Sequence, residues 1–489
     1  MTGTIFGRRR LLEGAAAMGM AALTPRVLFA QQAARNAAAP AAPLPARGEF
    51  VIRGATVLTM DSAVSDLTAG DVHVRDGAII AVAQKIEAPT AQVIEGEGMI
   101  CMPGFIDTHF HMWTSLFRPF VRADAPAFGY FPVTARLGPL MGPEDSYRAV
   151  RLGAADAIAA GITTVHNWSH NTRSPEHADA ELSAMRDMGI RGRFAYGTPV
   201  GLADDAPMDV AGLARVKKDW MPDKDNMLTL GICSRNLGAL TIGAGAATAS
   251  RGVLTVDQIK RDWDAARSLG LPITMHTSGA SPITALDRAG LLGPDVQFVH
   301  PLLTTPEERT ILKERGASYS TSPQLEARRG SQLGVIQLGE LLEAGVKVSL
   351  STDHIASISC DPFSSMRILF ALHAHRIGAR VPLTLKRLLQ LATIDGAADL
   401  GIANRTGSIT PGKRADLVLV RTTDTNMAPT GDPYEAIVSF GLPTNVDTVI
   451  VDGRVLRRGG KFTAFDHAKI VAEAREAAVA LRDKAKWPT

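Results

Sequence analysis

From Pro103 to about Ile402 the chain repeats one pattern eight times: a short apolar, strand-like run, then a helical stretch. The runs are Gly104–His109, Ile162–Trp168, Gly192–Tyr196, Leu228–Ser234, Pro272–Thr277, Val296–His300, Ala317–Thr321 and Val346–Thr352. The helices between them have marked starts. Ser174-Pro175-Glu176 and Thr305-Pro306-Glu307 each place an N-cap residue before a proline at the first helical position. Thr255 and Gln258 have the spacing of a capping box. Strands that alternate with helices build a parallel sheet, and eight such units close into a (β/α)8 TIM barrel of the α/β class.

On both sides of the barrel the texture changes to short β-branched strands with tight turns. Asp76-Gly77 and Asp452-Gly453 are hairpin signals. Residues 49–102 and 404–465 are therefore expected to meet as one small β-sandwich, with the barrel over 103–403 and a C-terminal helix over 466–489. Residues 31–48 read as an Ala/Pro-rich linker. Residues 1–30 hold Arg8-Arg9-Arg10, an apolar stretch and Leu28-Phe29-Ala30, the order of a twin-arginine signal peptide. That order predicts a protein exported already folded, to the periplasm or beyond.

The arginines and the single acid of those thirty residues account for the formal charge of +3. The rest of the chain is near neutral, which argues against nucleic acid or an anionic membrane as partner. No later apolar run is long enough for stable membrane insertion. The partner expected is a small-molecule substrate, with room for a homo-oligomer. Cys101, Cys233 and Cys360 are odd in number and far apart, so buried free thiols are expected rather than a disulfide framework.

Barrel enzymes carry their chemistry at the C-terminal ends of the strands. Strand one ends in His109 and His111, two apart and so on one face. Strand five ends in His276, strand six in His300, and Asp353 follows strand eight. Three histidines and a carboxylate suit one divalent cation, and a fourth histidine is left to act on substrate. One such residue alone is more often structural. Five on one rim are not.

These residues carry a resemblance. Gly104-Phe105-Ile106-Asp107-Thr108-His109-Phe110-His111, the single histidines on strands five and six, Asp353, and the late Gly407-Ser408-Ile409-Thr410-Pro411-Gly412 resemble the amidohydrolase superfamily, nearest its cytosine-deaminase-like and triazine-hydrolase-like branch. The resemblance implies His109, His111, His276 and Asp353 as metal ligands, zinc first, with iron or manganese as alternatives. It implies Asp353 and His300 as the catalytic pair, one to move the proton of the metal-bound water, the other to polarise the attacked group. Strand four has no lysine, so a single metal is implied. Deaminases of this kind carry a glutamate three residues after the strand-five histidine; here that position is Gly279. The expected reaction is hydrolysis of a C–N bond in an amide, carbamate, urea or cyclic amide. The alternative is deamination or dehalogenation of an aromatic heterocycle. Trp113, His170 and Glu326 are the further candidates for substrate contact, with Glu326 a possible substitute proton carrier.

Overall fold

The computed structural model describes residues 43–203, 206–221, 227–237, 254–277, 281–300, 302–329, 335–376 and 382–488. The export segment expected over residues 1–30 lies outside them. No helix among the described residues is long and apolar enough to cross a membrane.

Five strands precede the barrel: β1 (Glu49–Val57), β2 (Leu67–Arg75), β3 (Ala78–Ala83), β4 (Gln92–Glu95) and β5 (Met99–Pro103). The barrel strands are β6 (Phe105–Phe110), β7 (Ile162–Ser169), β8 (Arg191–Gly197), β9 (Leu228–Ser234), β10 (Ile273–His276), β11 (Val296–Val299), β12 (Ser318–Thr321) and β13 (Lys347–Leu350). Four follow: β14 (Leu417–Arg421), β15 (Val446–Val451), β16 (Arg454–Arg458) and β17 (Lys461–Phe462).

The two flanks join as one small β domain. Its hydrogen bonding runs β17-β16-β15-β14-β5-β1-β2-β3, with β4 branching from β1. The seam is β14 against β5, Leu417 opposite Pro103. Both turn signals act as read: Asp76 and Gly77, and Asp452 and Gly453, all have positive φ, as a tight hairpin turn requires. Phe50, Ile52, Val72, Val74, Leu417 and Leu419 form part of its core. A buried charge cluster ties this domain to the barrel. Arg191 on β8 donates to Asp416 at 2.5 Å and to Asp452 at 3.3 Å.

The eight barrel strands pair in parallel in chain order. The backbone hydrogen bonds that close the last strand on the first lie at the rim. Phe110 bridges Asp353, His111 N–H donates to the Asp353 carbonyl at 2.6 Å, and Asp353 N–H donates to the His109 carbonyl at 2.8 Å. The backbone thus zips together at the level of the candidate ligands. The interior under strands β12 and β13 is polar. Thr108, Ser320, Ser349 and Ser351 are buried and linked hydroxyl to hydroxyl at 2.7–2.8 Å. At the barrel floor, Ser318, Ser349 and Gln297 all donate to Asp399.

Between β6 and the Pro143–Ala159 helix the chain makes an excursion that includes the Met112–Phe117 turn and the Tyr130–Leu137 helix. The C-terminal helix His467–Lys484 packs beside it, capped by Asp466 and burying Ile470, Ala474, Ala477, Ala478 and Leu481. Trp487 beyond it sits 5.1 Å from the Phe120 ring, with the Arg136 guanidinium 4.8 Å over its face. Arg136 also donates to the carbonyls of Ala485 and Lys486. The three cysteines are free and buried.

Candidate metal centre

His109, His111, His276, His300 and Asp353 converge at the C-terminal mouth of the barrel. Ligand-type atoms of His109, His111 and Asp353 lie within 4.8 Å of one another, and so do those of His109, His276 and His300. Asp353 Oδ1 is 3.5 Å from His109 Nε2 and 3.4 Å from His111 Nε2. Two ligand atoms on a tetrahedral ion with bonds of about 2.1 Å stand roughly 3.4 Å apart. The donor set therefore fits a metal ion. The chemistry of the rings fits as well. Burial, then the neighbouring histidines, hold His109, His111 and His276 well below the usual histidine range, so all three stay neutral. Both ring nitrogens of His109 are buried with no hydrogen-bond partner among the described residues, and an ion would satisfy Nε2.

Second contacts aim these groups. Asp107 Oδ1 accepts from His109 N–H and from Thr352 N–H, both at 3.1 Å, and so fastens the end of strand one to that of strand eight. Burial pushes its carboxyl up to about 7. His170 Nε2 lies 2.8 Å from His111 Nδ1. With His111 Nε2 turned to the metal, its Nδ1–H donates to His170, which fixes the ring. His300 Nε2 is 3.5 Å from Asp353 Oδ2, and His300 Nδ1 is 2.9 Å from Glu326 Oε1. His300 and Asp353 have φ of 70° and 73°. Left-handed backbone at non-glycine residues is uncommon and concentrates at functional sites.

The structure brings all five ligand and catalytic candidates together. The three substrate candidates sit one layer behind them. Trp113 is fully buried in an apolar cluster with Leu116, Phe117 and Leu137, its ring 5.0 Å from that of His170. His170 backs His111. Glu326 is 3% exposed and backs His300.

Trp168 is the residue that sequence reading passed over. Its ring lies 4.3 Å from His109 and 4.2 Å from His276, and it is 1% exposed. It packs with Cys233 of β9, Ala195 and Val299. The period-two alternation that puts His170 on the inward face of this strand end includes Trp168 as well. Cys233 stands at the end of strand four. Burial pushes its thiol well up and it donates to the Ala195 carbonyl, so it offers no thiolate. Tyr130, from the excursion, stacks on the buried His354 at 4.1 Å and lies 6.1 Å from the His111 ring.

Residues 100–456 match the family model described as the amidohydrolase family. The chain is 26% identical over 449 residues to a 5'-deoxyadenosine deaminase of Methanosarcina mazei, covering 88% of this chain and 98% of the relative. It is 27% identical over 455 residues to a 5-methylthioadenosine/S-adenosylhomocysteine deaminase of Pelotomaculum thermopropionicum, with the same coverage. In fold it is similar to a zinc-bound adenosine deaminase from Xanthomonas campestris, with a TM-score of 0.78 at 22% identity over 90% of this chain and 100% of that one. It is also similar to the atrazine chlorohydrolase of Arthrobacter aurescens with zinc, with a TM-score of 0.75 at 21% identity over 88% and 100%. With a family match over most of its length and a histidine–aspartate cluster at the barrel mouth, the chain belongs to the amidohydrolase family, hydrolases of C–N bonds other than peptide bonds.

Proposed function

We propose that this chain holds one divalent metal, zinc first, on His109, His111, His276 and Asp353, and hydrolyses a C–N bond at an sp2 carbon of a small molecule. The carrying observation is the pair of 3.4–3.5 Å separations from Asp353 Oδ1 to two neutral imidazole nitrogens. One ion rather than two is favoured because strand four has no lysine, its buried Cys233 keeps its proton, and Trp168 packs beside His109 and His276. When bound, the ion lowers the pKa of a water towards neutrality. Asp353 would help hold the ion and its Oδ2, beside His300, would accept the proton of the attacking water and pass it to the leaving nitrogen. His300 Nε2 lies 3.5 Å from that oxygen and, once it carries a proton, would donate to the charge that develops on the substrate.

Amino-heterocycles of the adenosine type are the first substrates to test, since the full-length relatives are named as deaminases of adenosine derivatives. Amides, carbamates and ureas are the second reading, favoured by Gly279, which leaves a ring-protonating glutamate out of its usual place. Metal analysis of the purified protein, followed by ammonia release from a panel of both classes, separates them. A stoichiometry near two metals per active chain, or turnover of neither class, would sink the proposal. We further propose twin-arginine export, on Arg8 and Arg9. Replacing both with lysine should retain the protein in the cytoplasm.

A further inference from the structure

We propose that Glu326 is the positioning residue of His300 and makes up for the side chain missing at Gly279. The inference rests on the metal-hydrolase reading above. Glu326 lies in the short Pro323–Arg329 helix, just past β12, while His300 directly follows the neighbouring strand β11. Each oxygen of Glu326 is occupied. Oε1 accepts from Ser322 N–H at 2.8 Å and from His300 Nδ1–H at 2.9 Å, and Oε2 accepts from Thr321 Oγ1–H at 2.6 Å. A glutamate that merely capped its own helix would need the Ser322 bond alone. The other two bonds lock the carboxylate against the imidazole.

That lock decides which ring atom works. A carboxylate can only accept, so His300 carries a proton on Nδ1, and Nε2 is the atom left for exchange. Nε2 is the atom that faces Asp353 Oδ2 at 3.5 Å. The left-handed backbone at His300 turns the ring into this gap, and a non-glycine residue holds such a backbone only where its surroundings enforce it. Glu326 is buried behind the ring, so it touches no substrate and acts only through His300. In the deaminases that this chain resembles, a glutamate after the strand-five histidine moves protons to the ring. With glycine at position 279, that work falls to His300, whose imidazole Glu326 sets.

The test uses the metal-loaded full chain and the variants Glu326→Gln and Glu326→Ala. Glutamine keeps the shape and an accepting oxygen but loses the charge; alanine leaves a space for formate. Metal content, kcat, KM on the substrate found in the panel, and the downfield imidazole N–H proton in NMR are measured for each. Metal content and KM should hold while kcat falls about 10–100-fold, as for other orienting partners. The His300 Nδ1–H resonance should move upfield in Glu326→Gln, and formate should restore part of kcat to Glu326→Ala. Unchanged kcat with an unmoved resonance overturns the proposal, and so does metal loss in step with activity. If the wild type turns over nothing in the panel, the functional reading fails, while the imidazole resonance still decides where Glu326 acts.

Discussion

The two sides of the metal centre are built from opposite materials. The side fed by strands β6 and β7 is aromatic and dry: Trp113, Trp168 and Tyr130 lie against or near His109, His111 and His170. The side fed by β11, β12 and β13 is a lattice of hydroxyls and carboxylates, Ser320, Ser322, Thr321, Ser351, Glu326 and Asp353. Aromatic packing fixes shape and keeps water out, but moves no proton. A hydrogen-bonded lattice fixes the direction of charges and tautomers. The dry side should therefore govern metal retention and stability, and the polar side the rate.

The largest expected effect comes from the polar side. Asp353→Asn keeps an oxygen for the metal but cannot accept a proton, so turnover should fall about 10²–10⁴-fold. Melting temperature and most of the metal should remain. Near wild-type turnover with metal bound would falsify the assignment. Next is Trp168→Ala on the dry side. Truncating a buried tryptophan costs about 3–5 kcal/mol, so denaturant unfolding should shift strongly. Turnover per bound metal should change far less than in Asp353→Asn. A rate collapse at full metal occupancy and stability would erase the distinction between the two sides.

A smaller effect is expected at His170. Losing the partner of His111 Nδ1 should weaken metal affinity about 10–100-fold, read by competition with a chelator. Turnover at saturating metal should survive. If His170→Ala raises KM instead and leaves metal affinity alone, the histidine belongs to the substrate.

The smallest effect concerns Glu181, a carboxyl on the dry side behind β7. Asn167 donates to it at 2.8 Å, and burial pushes it up to about 7 from 4.5. A raised carboxyl pKa means that the folded state binds more protons than the unfolded one between those values. Its contribution to stability therefore falls as pH rises from about 4.5 to about 7 and is level above. Glu181→Gln should flatten that part of the pH profile, so that its advantage over wild type grows from about pH 4.5 to about pH 7 and then stays level. Parallel profiles for the two proteins would refute the idea.

The barrel, the two hairpin turns and the five rim residues were legible in the sequence because each follows a local rule: strand–helix alternation, a turn dipeptide, a polar residue at a strand end. The second layer was not. Glu326 reads in sequence as a solvated loop acid or a proton carrier, and its bond to His300 spans two neighbouring strand ends. His170 shares the parity of an inward residue, yet whether it meets substrate or His111 depends on ring orientation. The left-handed backbone at His300 and Asp353 has no sequence signature, since neither is glycine. Trp168 carried a signal, alternation, that a search for ligands alone overlooks.

The excursion that carries Trp113 and Tyr130 is covered from the far end of the chain. Arg136 reaches carbonyls 349 and 350 residues away, and Trp487 closes over Phe120. A ribosome releases His467–Lys484 after every ligand histidine and after Asp353. During synthesis, then, the ligands exist for a time without their cover, and the dry wall is finished last. A fragment ending before Asp466 would own the whole donor set and still lack the docked helix that holds the aromatic wall shut.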